Sequence, residues 1–270
     1  MPINIYTSKE IAKITASGML AFETHMLLKD HIRPGVSTAE LDELVRAHLS
    51  RKKARPSFLG FGGFPGAICT SINDAVVHGI PSARHVLREG DIIGIDLGVD
   101  LEGYYSDTAW TWPVGRVSDE ARQLITATQQ GLFRGIAEAR PESRMGAIGE
   151  AVQKHAEGAG FSVVRELVGH GVGKSVHEEP QVPNYGHRKN GIRLRAGMVL
   201  AIEPMINAGS FHVYTDRDKW TIRTKDGRLS AHFEHTVALT SSGPVNCTLP
   251  KGVETDVFKL LAAPAASSAK

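Results

Sequence analysis

Two cysteines in 270 residues, Cys69 and Cys247, cannot build a disulfide framework. That excludes a small extracellular scaffold and fits a reducing compartment. No apolar run approaches the ~20 residues needed to span a bilayer. The N-terminal MPINIYTSKE lacks the apolar stretch of a secretory signal and the Arg-rich amphipathic pattern of a presequence. An excess of one charge is also missing: 31 Lys and Arg face 29 Asp and Glu, both signs well mixed, which argues against a dedicated nucleic-acid binder. The expectation is a globular cytoplasmic protein with no membrane and no specific nucleic-acid partner. Its length allows one large α/β domain or two ordinary ones. Histidine, by contrast, is plentiful, with 12 residues.

Helical spacing runs over 8–30, with Ile11, Ile14, Met19, Phe22 and Met26 on one face and Ser8 as the N-cap. A second helix is expected over 37–53, opened by the capping box STAE. Two more are expected over 118–139 and 143–159. Residues 56–81, rich in Gly, Pro and Phe, read as strand and turn. Residues 91–99 and 104–112 read as two strands around a short turn, and strands dominate from Val163 to Leu239. The segment 250–270, ending APAASSAK, is expected to be a flexible tail.

An internal echo organises these elements. HGI at 78–80 returns as HGV at 170–172, LREGDIIGID at 87–96 returns as LRAGMVLAIE at 194–203, and YSDT at 105–108 is answered around HFEHT at 232–236. Each half reads His-Gly, strand, carboxylate, strand, carboxylate. The expected architecture is α+β: one domain over 1–249, with similar halves at about 1–115 and 116–249 related by a pseudo-two-fold.

Carboxylates inside apolar runs require a reason. A turn centred between Leu101 and Glu102 would set Asp96 directly opposite Asp107, and like charges opposite one another destabilise a sheet. Gly94 and Gly98, on the same face as Asp96, leave space, while Ile93, Ile95, Leu97 and Val99 supply the core. A shared proton or divalent cations could reconcile the two charges. The echo adds Glu203, Glu234 and His170, and a carboxylate-rich set with one imidazole suits Mn, Fe, Co or Zn in an oxygen-dominated site. Four carboxylates carry enough charge for two such ions, the arrangement used in metal-assisted hydrolysis. Taken singly, an Asp at a strand end is usually a turn or cap residue, and a lone His such as His78 or His177 is usually structural; the repeated placement raises the metal reading above these.

NDAVVHGIP, DIIGIDLGV, YYSDTAWTWPVG, GHGVGKSVHEEP, GMVLAIEPM and HFEHTVALT together resemble, in order, the motifs of type I methionine aminopeptidases, from about Lys9 to about Leu239. The resemblance implies the pita-bread fold. It implies Asp96, Asp107, His170, Glu203 and Glu234 as ligands of two divalent ions, with Asp107 and Glu234 bridging. A water activated between the ions would attack the Met–Xaa amide of nascent chains whose second residue is small. His78 and His177 would contact the scissile amide, and Glu203 would also carry a proton. Phe58, Phe61, Phe64, Cys69 and Trp220, with His78, would form the methionine pocket. A monomer with weak ribosome association is expected, organellar instead of cytoplasmic if a presequence has been removed. Only 26 residues separate His177 from Glu203, too few for the insertion of type II enzymes. The alternatives are an Xaa-Pro aminopeptidase-like hydrolase, which shares the metal motifs, and a silent binding module on the same fold.

Overall fold

Helix α1 (Ser8–Lys29) starts one residue earlier in its cap than expected: Thr7, not Ser8, accepts from the Glu10 amide, and the Glu10 carboxylate returns to the Thr7 amide. The computed structural model describes residues 2–262. The buried stripe of α1 is Ile14, Ser17, Gly18, Leu20, Ala21, Thr24, His25 and Leu28, while Met19, Phe22 and Met26 are only half-buried. Apolar spacing misjudged this face because small and polar residues make the contact. Ser17 Oγ donates to the Val99 carbonyl (2.8 Å), and His25 Nε2 lies 3.2 Å from the Thr108 carbonyl. Gly18 lies against the Cys247 backbone so closely that a Cβ there would overlap it.

Helix α2 (Thr38–Arg51) carries the expected capping box between Ser37 and Glu40. Helices α3 (Asp119–Glu138), capped by Ser118, and α4 (Met145–Gly158) pack on each other, with Gly135 against Val152.

The centre of the first half is a long hairpin, Ile92–Leu101 with Tyr104–Pro113. Its two turn residues, Glu102 (φ 55°) and Gly103 (φ 77°), are both left-handed, the backbone that a two-residue hairpin turn demands. This pairs Leu101 with Tyr104 and shifts the register by two from expectation. Asp96 faces Ala109, and Asp107 faces Gly98. A shift of two preserves the side-chain face, so the aspartates stay on one surface as diagonal neighbours. The expected space beside them is filled: Gly98 accommodates Ser57 and Phe58. Cys69–Ile72 and Arg55–Pro56 complete the other edge of this sheet, with Cys69 opposite Asp96. On the opposite face Ile93, Ile95, Leu97, Val99, Trp110 and Trp112 are fully buried in the main core.

The second half holds a five-stranded antiparallel sheet in the order Gly243–Asn246, His235–Thr240, Val199–Ile202, Gly169–Gly171, Glu178–Val182. It meets the hairpin along a seam. The Glu234 amide donates to the Ala109 carbonyl (2.8 Å), the Asp107 amide to Thr236 Oγ1 (2.9 Å), and Thr111 Oγ1 to the His232 carbonyl (2.8 Å). Threonine hydroxyls thereby stand in for ladder bonds where the halves join, and they fix Asp107 and Glu234 side by side. The architecture is α+β, as expected.

Residues 250–262 depart from the expected loose tail. A short helix α5 (Val257–Ala262) packs Val257, Phe258, Leu260 and Leu261 on the core, and Gln129 donates to the Thr255 carbonyl (2.7 Å). Its apolar spacing was overlooked beside the low-complexity end. Residues 263–270 lie outside the described residues.

Candidate metal centre

Asp96 and Asp107 leave the middle of the hairpin strands, Glu203 follows directly after Val199–Ile202, and Glu234 directly precedes His235–Thr240. His170 sits in the short strand Gly169–Gly171. These five come together at the seam. Ligand atoms of Asp96, Asp107 and Glu234 lie within 4.8 Å of one another, as do those of His170, Glu203 and Glu234. Glu234 belongs to both groups. Asp107 reaches across as well, with its Oδ2 3.9 Å from His170 Nε2, and Glu203 Oε1 is 3.4 Å from the same nitrogen.

The electrostatics of the cluster are those of a site short of positive charge. Burial, together with the other carboxylates, pushes Asp107 and Glu234 well above the usual carboxylate range, and burial does the same to Glu203. Burial raises Asp96 to about 7, against the opposing pull of His232. Asp96 Oδ1, Asp107 Oδ1 and Glu234 Oε1 are buried with no hydrogen-bond partner among the described residues. Such orphaned oxygens are costly unless a partner arrives. Burial also holds His170 down near 3, hence neutral. Its Nδ1–H donates to the Gly171 carbonyl (2.9 Å), which leaves the Nε2 lone pair facing Asp107 and Glu203. A backbone-anchored imidazole presenting one lone pair is the usual second support of a metal ligand. Orphaned oxygens, a neutral imidazole and four crowded carboxylates fit hard or borderline divalent cations.

Every other expected site residue lines the same cavity, of about 100 Å³: Phe58, Phe61, Phe64, Cys69, His78, His177 and Trp220. A larger polar groove of about 270 Å³, between Asn73, Asp74, Arg84, Arg88 and Arg223, contains none of them. Ring contacts define the walls. Phe64 meets Trp220 edge to face at 5.2 Å, Phe61 meets His177 at 5.0 Å, and His177 meets His170 at 4.2 Å. The three phenylalanines gather because Gly60 (φ 82°), Gly62 (φ 56°) and Gly63 (φ 91°) adopt left-handed backbone, turning 58–64 into a tight loop. Phe58 and Phe64 are buried, whereas Phe61 is 42% exposed and forms the rim. His177 lies near enough to Asp107 and His170 to join a metal group, so proximity alone does not separate it from the ligands.

His78 has φ 60°, a left-handed conformation rare for histidine, and burial lowers its pKa to about 4. Strain of this kind persists where the surroundings over-determine it. Here the following residue, Gly79, accepts from the Thr70 amide (2.8 Å) and tolerates no Cβ.

One residue escaped the sequence reading. His232 is buried, its Nε2 is 3.6 Å from Glu203 Oε2, and that nitrogen has no hydrogen-bond partner among the described residues. It lies two positions before Glu234, and the period of two in extended chain was the available signal. Val176, Ile80 and Tyr105 also join the apolar cluster around Phe58 and Phe64.

Comparison with known proteins agrees with this geometry. Residues 8–241 match the description Metallopeptidase family M24. The chain is 50% identical over 237 residues to methionine aminopeptidase 1 of Bacillus subtilis, covering 88% of this chain and 95% of that one. It superposes on the crystal structure of methionine aminopeptidase from Rickettsia prowazekii with a TM-score of 0.90 and 42% identity, covering 92% of this chain and all of the other. The prolidase from Pyrococcus horikoshii shares the fold (TM-score 0.74) at 23% identity, and the chain covers 64% of it.

Proposed function

The chain belongs to metallopeptidase family M24, and from that premise we propose that it is a methionyl aminopeptidase, removing the N-terminal methionine of peptides whose second residue is small. The observation that carries this reading is one cavity in which an aromatic, apolar pocket abuts four carboxylates and an imidazole. Asp96, Asp107, His170, Glu203 and Glu234 would hold two divalent cations drawn from Mn, Fe, Co and Zn, with Asp107 and Glu234 serving both. When bound, such a pair supplies Lewis-acid polarisation of the scissile amide and activation of a water.

The chain's own groups do the rest. Phe58, Phe64, Cys69 and Trp220 take up the unbranched thioether side chain, for which aromatic edges are favourable partners. The His177 imidazole, its pKa lowered by desolvation where the ring faces the cavity, donates to the substrate carbonyl oxygen as negative charge develops there. His78, fixed by its backbone, holds the same amide. Glu203, between His170 and His232, accepts a proton and returns it to the departing amine. Closure of the cavity around one side chain limits attack to the first residue, and the rim at Phe61 crowds the second. Similarity to bacterial enzymes supports nascent chains in the cytoplasm as the substrate pool. Weak ribosome contact and a monomeric state complete the proposal.

The test offers Met-Ala-Ser, Leu-Ala-Ser and Ala-Pro-Ser to chelated protein, then again with Mn²⁺ or Co²⁺, and identifies products by mass spectrometry. Metal-dependent release of methionine alone is expected. Cleavage only before proline would transfer the chain to the Xaa-Pro group, and no cleavage by folded protein with either metal would leave a binding module.

A further inference from the structure

We propose that Tyr6 and Glu178 form a strap that positions His177, so that the N-terminal arm, far from the cavity in sequence, tunes the reaction through that imidazole. This rests on the role of His177 proposed above.

The Glu178 carboxylate follows His177 directly and is saturated with donors from two directions. From its own loop, Oε1 accepts from the Lys174 amide (2.7 Å) and the Ser175 amide (2.9 Å). From the arm, the Tyr6 hydroxyl donates to it (2.8 Å to each oxygen) and Asn4 Nδ2 donates to Oε2 (2.9 Å). The Tyr6 hydroxyl also accepts from the Lys174 amide (2.9 Å). No Lys or Arg pairs with Glu178 among the described residues, so hydrogen bonds alone hold this charge. Burial and the facing carboxylate push the Tyr6 phenol well up, which keeps it a donor.

The arm is itself anchored. Tyr6 is buried, its amide donates to the Gly197 carbonyl (2.7 Å), and its ring lies against Gly173 where no Cβ would fit. The loop between Gly173 and Glu178 is held at three further points. The Tyr105 amide donates to the Gly173 carbonyl (2.8 Å), Lys174 Nζ sits 3.6 Å from the centre of the Tyr104 ring, and Val176 is buried in the pocket cluster. His177 stands at the end of this otherwise clamped loop, its backbone solvent-facing and its ring turned to the cavity. Its ring rests on two others, Phe61 at the rim of the cavity and His170 beside the carboxylates. Neither contact fixes a hydrogen-bonding direction. The adjoining carboxylate, accepting from the Lys174 and Ser175 amides, ties down the loop from which the imidazole projects.

A purely structural clamp and a positioning strap differ in what they predict. The experiment therefore measures Tyr6→Phe, Glu178→Gln, His177→Ala and Tyr6→Phe/His177→Ala for melting temperature, cation stoichiometry, kcat and KM on Met-Ala-Ser. Partners that orient an active group typically contribute 10–100-fold. Tyr6→Phe is expected to lower kcat by about 10-fold with KM and stoichiometry unchanged, and Glu178→Gln, which keeps one acceptor oxygen, by less. In the His177→Ala background Tyr6→Phe is expected to be silent, the non-additivity of residues acting as a unit. The His177 imidazole resonances of metal-free protein are expected to shift in Tyr6→Phe. Equal losses in both backgrounds, or an unchanged kcat and spectrum, would overturn the strap. If wild-type protein releases no methionine, the reading of the site falls and the strap with it. Methionine release by wild type alongside an unaffected Tyr6→Phe would reject the strap alone.

Discussion

The two His-Gly pairs carry the same letters, yet their backbones differ. His170 lies in an extended strand, and its Nδ1 is tied to the next carbonyl, so Nε2 turns toward the carboxylates. His78 lies in left-handed backbone after Ala75–Val77, and its ring lines the cavity without joining any of the close metal-type groups. The carboxylates diverge in the same way. Asp96 and Asp107 leave the interior of ten-residue strands, whereas Glu203 directly follows one short strand and Glu234 directly precedes another. The first half thus offers a rigid platform, and the second a set of strand ends brought to it by the seam. A repeat in sequence supplies matching chemistry, and local backbone then divides the labour between binding cations and meeting substrate.

That division can be broken residue by residue. The largest expected effect is at the ligand member of the histidine pair. His170→Ala should lower cation affinity and turnover by more than about 100-fold, since changes outside the ligand set alone cost 10–100-fold. Calorimetric Mn²⁺ titration beside peptide turnover checks this, and full retention of the metal would remove His170 from the ligands. The substrate members should behave differently. His78→Ala and His177→Ala should each keep the cations and slow turnover by roughly 10²–10³, the usual cost of one oriented donor. Loss of metal in His177→Ala would instead make it a ligand, which its distance to Asp107 and His170 permits.

A pH experiment sharpens the contrast on the carboxylate side. Asp96 is raised in the folded protein from 3.8 to about 7, so the folded state holds its proton more tightly than the unfolded chain. Its contribution to the stability of metal-free protein is therefore full below about pH 4 and is lost as pH rises toward about 7. Buried His25 and His235, lowered to about 4 and about 3, act in the opposite sense, losing stability as pH falls below 6.5. The informative quantity is thus the difference between variants. Asp96→Asn should melt higher than wild type near pH 7 without metal, and the advantage should vanish near pH 4. An equal advantage at both pH values would contradict the assigned charge crowding.

The smallest effects concern the pocket. Phe64→Ala should cost about 3 kcal/mol of stability and raise KM, as expected when a buried ring is deleted. Phe61→Ala should change stability by less than about 0.5 kcal/mol, as exposed positions do, while admitting larger second residues. Melting curves and a panel of Met-Xaa-Ser peptides would separate the two.

How much of this was legible beforehand depends on which force set each element. Capping boxes and hairpin chemistry are local, and α2, α3 and the hairpin stand within two residues of expectation. Glycine 103 was visible, but nothing local said that Glu102 would also turn left-handed, and that choice moved the register. The face of α1 was misjudged because Ser17, Gly18 and His25 contact the hairpin through shape and hydrogen bonds, which apolar periodicity does not count. All twelve named site residues line one cavity, since ligand chemistry is written in residue type and order. The contact of His232 with Glu203 is made by the fold, and its spacing of two from Glu234 is the one local sign of it.

The central claim is that both halves must contribute carboxylates to one cation pair, and titration of chelator-stripped protein with Mn²⁺ addresses it directly. Wild type should bind two ions per chain, and Glu234→Gln, the carboxylate common to both ligand groups, should lose tight binding of both. Two undiminished sites in Glu234→Gln, or no binding by folded wild type, would contradict it.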